Sequence, residues 1–504
     1  MWRRDRLILG SVVFLAAVLS ACGSGPAPFT SHTSVTASKN PLVAEYQVQE
    51  LGPGPASVWV EFGTDYSYGR RTSAVTVPDG ASGPVTVVVA GMKADTTYHM
   101  RAHVDIPMGN SWIDVDQPFT TGSLPAGKSL TLTVTRPPNT NVSQTGVELL
   151  DVLPSGPNNF QAAVADLDGN IIWYYDIGDQ LPDPIKQMPN GHMIMNAGVF
   201  DLREVDLAGN VVREMTVESL NQKLTAAGYT TVFSLHHDIC LLPNGHMVVL
   251  ANSHKTFTDL PGYPGDIEVL GDFLIDLDTT WNPVWMWSTF DHLDVNRHLM
   301  GLPDWTHSNA VIYSPSDGNL LLSMRHQSWV IKIDYANGSG TGNILWRLGN
   351  EGDFSIRGGD PAQWFYAEHY PHLEGQDGPQ FELSIFDNGN LRDDDVGDPC
   401  EGMYPNCYSR AILVHVDEAA KTAAVEWQYR PGFFSSWGGS IGILDNGDVE
   451  FDMSAPFGIT AHSRVLEVTQ TDTPQVVWQL DITEGNAYRA YRLPSLYPGV
   501  IWER

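Results

Sequence analysis

Two short units recur along most of this chain, and they restrict its fold more than any other feature. One is an Asp or polar turn followed by an apolar strand, often with Trp. It appears as DLDGNIIWYYD from Asp166, DLAGNVVREM from Asp206, DLDTTWNPVWMWS from Asp276, GSGTGNILWRLG from Gly338, DEAAKTAAVEWQYR from Asp417 and TQTDTPQVVWQLD from Thr469. The other is a turn and then a strand: PNGHMIM, PNGHMVVL, SDGNLLLS, DNGNLRDD and DNGDVEFD. Asn-Gly and Asp-Gly here read as hairpin turns whose two central residues both take positive φ. Such units cannot bury their apolar faces singly, so they must stack. The six copies of the first unit predict six four-stranded blades: an all-β, six-bladed β-propeller over 130–504.

At 504 residues the chain is too long for one ordinary core. Alternating apolar and polar residues in SVWVEFG, AVTVP and PVTVVVAG predict a separate N-terminal β-sandwich over 36–122. Its GMKADTTYHMRAHV segment resembles a fibronectin III or Ig-like sandwich, in which Tyr98 would bond back to the backbone at a corner. TGSLPAGKSL reads as the boundary. The net charge of -31 argues against nucleic acid as a partner, because phosphate binding needs basic patches.

Residues 1–22 combine Arg3, Arg4 and Arg6 with an apolar run from Leu7 to Leu19, the pattern of an export signal. Leu19-Ser20-Ala21-Cys22 is similar to a bacterial lipobox, so Cys22 is expected to become the lipidated first residue. An ordinary cleaved signal peptide is the alternative. Residues 23–35 read as a tether, and the protein is expected to be exported, either periplasmic or anchored to the outer membrane. In that oxidising setting Cys400 and Cys407, in one loop, are expected to pair, while Cys240 is expected to be a buried thiol. The acidic loop Asp393–Asp398 could hold calcium, although a solvated loop is the favoured reading.

The stretch FSLHHDICLLPNGHMVVL, Phe233–Leu250, starts with His236, His237 and Asp238 ahead of an apolar strand. Aligned on their turns, other repeats carry His307-Ser308-Asn309, Glu368-His369-Tyr370 and Ala461-His462 at comparable places. Equivalent positions on the innermost strands of a propeller converge on its channel, which predicts a histidine cluster there. Arg325, a hairpin's length after His307, is expected to return to the same region. Asn309 and Asp238 match each other in position and are candidates to orient an imidazole or bind a polar substrate atom. His192 and His246 read as turn residues, and the Trp residues as packing anchors. Two chemistries fit a His cluster with an Arg. Imidazoles and a carboxylate suit zinc or iron, although an Arg in the shell is unusual and no HExxH spacing occurs. Alternatively, cationic side chains surround an anion while a neutral His attacks it, with no metal.

The blocks HHDICLLPNGH, DWTHSNAVIYSPSDGNLLLSMRHQSWVIKID, GNILWRLG and AEHYPHLEG resemble the bacterial arylsulfate sulfotransferase family, from about Ser143 onward. The resemblance implies an exported six-bladed propeller behind a β-sandwich. It also implies transfer of a sulfuryl group from a phenolic sulfate to another phenol, with no nucleotide sulfate, cofactor or metal, in a ping-pong scheme through a sulfated histidine. Carried over, His369 matches the nucleophile. His307, Asn309 and Arg325 match the sulfate-binding block, and His236 matches the first channel histidine, with His237 and Asp238 beside it. Which of His236 and His237 faces the axis stays open, with blade alignment favouring His236. The expected partners are the donor, the acceptor and a lipid anchor, with a homodimer as an option. The competing readings are a metal- or cofactor-dependent exported hydrolase or dehydrogenase, and a surface-anchored binding protein.

Overall fold

The computed structural model describes residues 33–503 apart from 50–54, 81–82, 108–110, 139–141, 154–159, 179, 181, 393–407 and 457. The export signal, Cys22, Cys400, Cys407 and the acidic 393–398 loop lie outside the described residues. The first strand, Thr33–Ala37, begins inside the 23–35 stretch read as a tether.

The fold is all-β. From residue 132 on, the strands form six sheets of four or five strands, each laid down in chain order from an inner to an outer strand. The inner strands are Asn486–Leu493, Pro182–Gln187, Ser234–Leu241, Ser308–Ser314, His369–Asp377 and Ile441–Ile443. Among the described residues chain order breaks three times. Ser355–Ile356, which precedes the fifth sheet's inner strand, joins that sheet's outer edge beside Thr422–Tyr429. The last strand, Asn486–Leu493, pairs with Val147–Leu153, and Leu132–Thr135 joins the outer edge of the sixth sheet beside Val476–Ile482. Both ends of this region are thereby stitched into sheets made by distant sequence.

Strand side chains alternate faces, and each sheet uses both faces to pack on its two neighbours. Leu320 and Leu322 point into the core shared with the third sheet, while Leu321 points into the core shared with the fifth. The remaining cores join the second and third sheets, the fifth and sixth, and the sixth and first. One core joins the first and second sheets to the N-terminal strands. Tryptophan fastens several of these seams. The indole N–H of Trp173 donates to Leu207 O at 2.9 Å, that of Trp287 to Gly342 O at 2.8 Å and that of Trp478 to Leu167 O at 3.0 Å, each on the next sheet.

Two local expectations are corrected. In the PNGH turns only the glycine is left-handed: Gly191 and Gly245 have φ of 86° and 82°, and the preceding Asn residues stay at negative φ. Met188 O accepts from Gly191 N, and Met188 N donates to His192 O. This is a type I turn with Pro at its second position and a glycine bulge, which needs one positive φ and not two. His192 and His246 then reach Glu204 at 2.6 Å and Asp276 at 3.1 Å on a neighbouring strand. Second, DNGNLRDD is not a hairpin turn. Asp387 ends the strand Gln380–Asp387, at the same end of the sheet as His369.

The N-terminal strands form a three-stranded and a six-stranded sheet. Tyr98 is buried, and its hydroxyl accepts from Lys93 N at 3.0 Å. The C-terminal tail closes onto this region. Tyr497 Oη accepts from Ala90 N at 2.6 Å and donates to Val88 O at 2.8 Å. Trp502 lies over Gly91, where a Cβ would come within 2.3 Å of the ring. Cys240 is a buried free thiol whose pKa burial pushes up to about 12.

Candidate active site

The inner strands holding the predicted histidines are irregular where those histidines sit. Register shifts fall between Leu235 and Ile239, between Ser308 and Ala310, and between His369 and His372. In these stretches His237, His307 and Tyr370 hold positive φ of 53°, 47° and 43°. Bulges re-aim side chains, and left-handed backbone at non-glycine residues persists only where the surroundings hold it. The outcome is a chain of rings. The His236 and His237 centroids are 5.0 Å apart, His237 and His307 4.8 Å, and His307 and His326 4.5 Å. Tyr488, on the last inner strand, meets His237 at 5.5 Å and His369 at 6.0 Å.

Each histidine has a different partner. His369, 1% exposed, has Nδ1 2.8 Å from Asn388 Oδ1, and its Nε2 accepts from Gly438 N–H at 3.1 Å. Burial, then the Arg325 charge, hold its pKa well below the ordinary value despite the Asn388 hydrogen bond, so the ring is neutral. His236 has Nε2 3.3 Å from Asp272 Oδ1 and Nδ1 2.9 Å from His237 Nδ1. Burial opposes a charge on His236, but Asp272, close by at 3.3 Å although without hydrogen-bond geometry, and then Asp183 outweigh it and raise its pKa. Asp272 in turn is held at about 2 by His236, Thr306 and Ser308, against its own burial. Burial, then the charges of His307 and His236, push His237 far down. His307 Nδ1 lies 2.5 Å from Asp304 Oδ2.

Arg325 follows the strand Asn319–Met324. It donates from Nη1 to His326 Nε2 at 2.7 Å and from Nη2 to Ser436 O at 3.1 Å, and its buried Nε has no partner. Both acceptors are neutral: burial, then His307, depress the His326 pKa to about 4.

The predicted residues are thus gathered into one cluster, with a division of labour the repeats did not foretell. His237 touches His307 and Tyr488, while His236 stands one ring back against Asp272. Asn309 is fully buried. Its Nδ2 donates to Glu368 O at 2.6 Å, and its Oδ1 accepts from Tyr370 N at 3.4 Å, so it clamps the backbone on both sides of His369. Asp238 is buried too, 2.6 Å from Lys186 Nζ and 3.1 Å from Arg489 Nη1, and it accepts from Val311 N at 2.8 Å. It ties four inner strands together. His462 is exposed and lies outside the cluster.

Asp304, His307 and His326 are spaced as three metal ligands could be, but the donor set does not fit. His326 Nδ1 donates to Asp304 O at 2.7 Å and Nε2 accepts from Arg325, so neither nitrogen is free to bind an ion.

A cluster of imidazoles around a guanidinium suits a tetrahedral anion, and the family comparison agrees. The arylsulfotransferase (ASST) family model matches residues 135–492. The chain belongs to that family. This arylsulfotransferase acts on small phenolic molecules, as the family does. A comparison with curated proteins gave no match. Among solved structures, the chain is similar to BamB from Moraxella catarrhalis at 10% identity and TM-score 0.30, over 70% of this chain and 88% of that one. It is also similar to an endo-1,5-alpha-L-arabinanase from Thermotoga petrophila at 12% identity and TM-score 0.28, over 59% and 73%. Likenesses this distant bear on neither substrate nor mechanism.

Sequence reasoning missed several groups that line the arylsulfotransferase site. Tyr488 is buried, and among the described residues its hydroxyl has no hydrogen-bond partner. Its strand, NAYRAYRL, carries Arg and Tyr among small residues, which is unusual for an inner strand and was the available signal. Asp272, Asp304 and Asn388 come from neighbouring strands and loops. Glu368, fully buried with Ser323 bonded to its carboxyl, is pushed up to about 8 by burial and is therefore neutral.

Proposed function

We propose that this arylsulfotransferase moves a sulfuryl group from a phenolic sulfate ester to a second phenol, without nucleotide sulfate, through a sulfated His369. One observation carries the reading: a neutral, buried imidazole stands under the influence of a guanidinium, Arg325, that no carboxylate neutralises among the described residues. In the first half-reaction the Nε2 lone pair of His369 forms the N–S bond as the S–O bond to the aryl group breaks. The leaving phenolate keeps the bonding pair and takes a proton from the His236–His237 pair. In the second, an acceptor phenol gives its proton back to that pair and its oxygen bonds sulfur. The N–S electrons return to Nε2.

The residue roles follow from charge. By analogy with phosphoryl transfer, the transition state is loose, with charge on the sulfuryl oxygens and the leaving oxygen. The planar Arg325 fork suits two of those oxygens. A charged His236 donating from Nδ1 leaves the His237 proton on Nε2, ready for the leaving oxygen. His307, held by Asp304 through Nδ1, has Nε2 for a third sulfuryl oxygen. The Gly438 N–H now on His369 Nε2 has to move off before sulfur comes in line.

On the same reading the six sheets are blades of a six-bladed propeller over 130–504, and the N-terminal sheets are a β-sandwich over 36–122. Residues 1–22 are an export signal, Cys22 carries lipid ahead of a short tether, and the protein is periplasmic or anchored to the outer membrane. Cys400 and Cys407 form a disulfide. Labelled palmitate retained by Cys22→Ser, or alkylation of both loop thiols without reductant, would overturn these last assignments.

The test is release of 4-nitrophenol from 4-nitrophenyl sulfate with EDTA present and no nucleotide sulfate. Release should require added phenol and vanish in His369→Ala. Release that does not need phenol would make the protein a sulfatase instead.

A further inference from the structure

The inference concerns how the cluster selects its nucleophile, and it rests on the reading that His369 is the attacking group. Asn388 follows the strand that pairs with the His369 strand, and it is fully buried. Its Nδ2 donates to Ser435 O at 2.8 Å and to Gly438 O at 3.1 Å. Carbonyl oxygens only accept, so the amide cannot be flipped without opposing two oxygens with a third. Its Oδ1 therefore faces His369 Nδ1, 2.8 Å away, and can only accept. The His369 proton must sit on Nδ1, which leaves the lone pair on Nε2. Gly438 N–H, donating to that nitrogen from the other side, requires the same tautomer.

Two other histidines of the cluster have a carboxylate beside them: Asp272 lies 3.3 Å from Nε2 of His236, and Asp304 lies 2.5 Å from Nδ1 of His307. A carboxylate stabilises an imidazolium by charge as well as by hydrogen bonding, whereas an amide supplies only the hydrogen bond. We propose that Asn388 is the positioning residue that makes His369 the nucleophile: it fixes the proton on Nδ1, and as an amide it withholds the negative charge that its two sister histidines receive. The charged and titratable groups facing His369 from the packed elements act in the same sense. Arg325 comes from the fourth sheet, His307 and His237 from the fourth and third, and Tyr488 and Arg489 from the first. None supplies a negative charge at neutral pH, and Glu368, the preceding residue, is a neutral acid.

The experiment uses the full chain with Asn388→Asp, which keeps the acceptor toward His369 and adds the charge but gives up the two Nδ2 donations to Ser435 O and Gly438 O; Asn388→Ala, which loses those donations without adding charge, is the control for that loss. For 4-nitrophenyl sulfate with phenol, kcat/KM is followed from about pH 5 to 9. A carboxylate at this distance should raise the His369 pKa by more than about one unit, each unit being tenfold in the protonation equilibrium. The acid limb then moves to higher pH, with a loss that deepens as the pH falls and recovery toward wild type as the pH rises. A purely structural role would give the same loss at every pH, and that result would overturn the proposal. The second readout does not need activity. In protein labelled with 15N-histidine, with His369→Gln as the assignment control, wild type should show His369 with its proton on Nδ1 and a bare Nε2. In Asn388→Asp the pH at which it becomes doubly protonated should be higher than in wild type. An Nε2–H tautomer in wild type, or a midpoint that does not rise in Asn388→Asp, also overturns it. If wild type releases no 4-nitrophenol, the functional reading falls, and the spectra still decide the role of Asn388.

Discussion

Arg325 and Arg492 lie at opposite ends of the ring of inner strands, and their surroundings differ as a site differs from a strut. Arg492 is buried among three glutamates from three strands. It bonds Glu148 through Nε and Glu467 at 3.1 Å, donates to Gln144 O at 2.6 Å, and has Nη2 in an ion pair 2.8 Å from Glu450 without hydrogen-bond geometry. The cluster has an excess of carboxylate, so burial, then Glu148, push Glu450 well up. Among the described residues Arg325 has only the neutral His326 and a backbone carbonyl, with Nε left bare. A buried cation saturated by carboxylates has no capacity left for a ligand. One held by neutral acceptors keeps its field for an incoming anion. The difference teaches that a guanidinium's partners, more than its burial, tell a binding group from a structural one.

The strongest way to break that comparison is Arg492→Met. It strands three buried glutamates and should cost about 3–5 kcal/mol of unfolding free energy, read by urea denaturation, while kcat/KM per folded molecule stays within about twofold. A larger catalytic loss would mean the two ends are coupled. Arg325→Met is the mirror image. It should lower kcat/KM by about 10²–10³ without lowering the melting temperature, and Arg325→Lys should fall between Met and wild type because the fork is lost but the charge kept.

Asp272→Asn sharpens the picture at the next scale. His236 is held above its ordinary pKa, so its charged form is fully present below about 6.5 and is lost as pH rises through the raised value. Without the carboxylate that loss comes earlier, and the basic limb of kcat/KM should move down by about one pH unit. A basic limb that does not move would remove His236 from the acid role. Smallest, Trp287→Phe deletes one inter-sheet hydrogen bond and should cost about 1 kcal/mol in thermal unfolding with an unchanged pH profile. It calibrates what a purely structural contact is worth here.

The histidines were legible because they ride on repeats. A turn followed by an apolar strand sets the strand's start, and His236, His237, His307 and His369 all stand there. Asn388 was hidden for the opposite reason. DNGN reads as a hairpin turn by composition, yet it ends a strand beside His369, and no local rule separates those two uses of Asn and Gly. Tyr488 and Arg489 were hidden because their strand joins the first sheet through pairing with Val147–Leu153, a contact between the two ends of the domain that periodicity does not encode.

The sequence by itself determined the all-β class, the repeated strand units, the family and the set of histidines with Arg325, because side-chain alternation and turn chemistry act over a few residues. Only the tertiary structure decided which imidazole has its proton affinity lowered, as His369 has, and which has it raised, as His236 has. That depends on whether Arg325 and Asn388 or Asp272 lies beside it, and therefore on bulges and on packing between sheets. Proton affinity is set by fields over a few ångströms of space, and the groups producing those fields are brought together only when the ring of sheets closes.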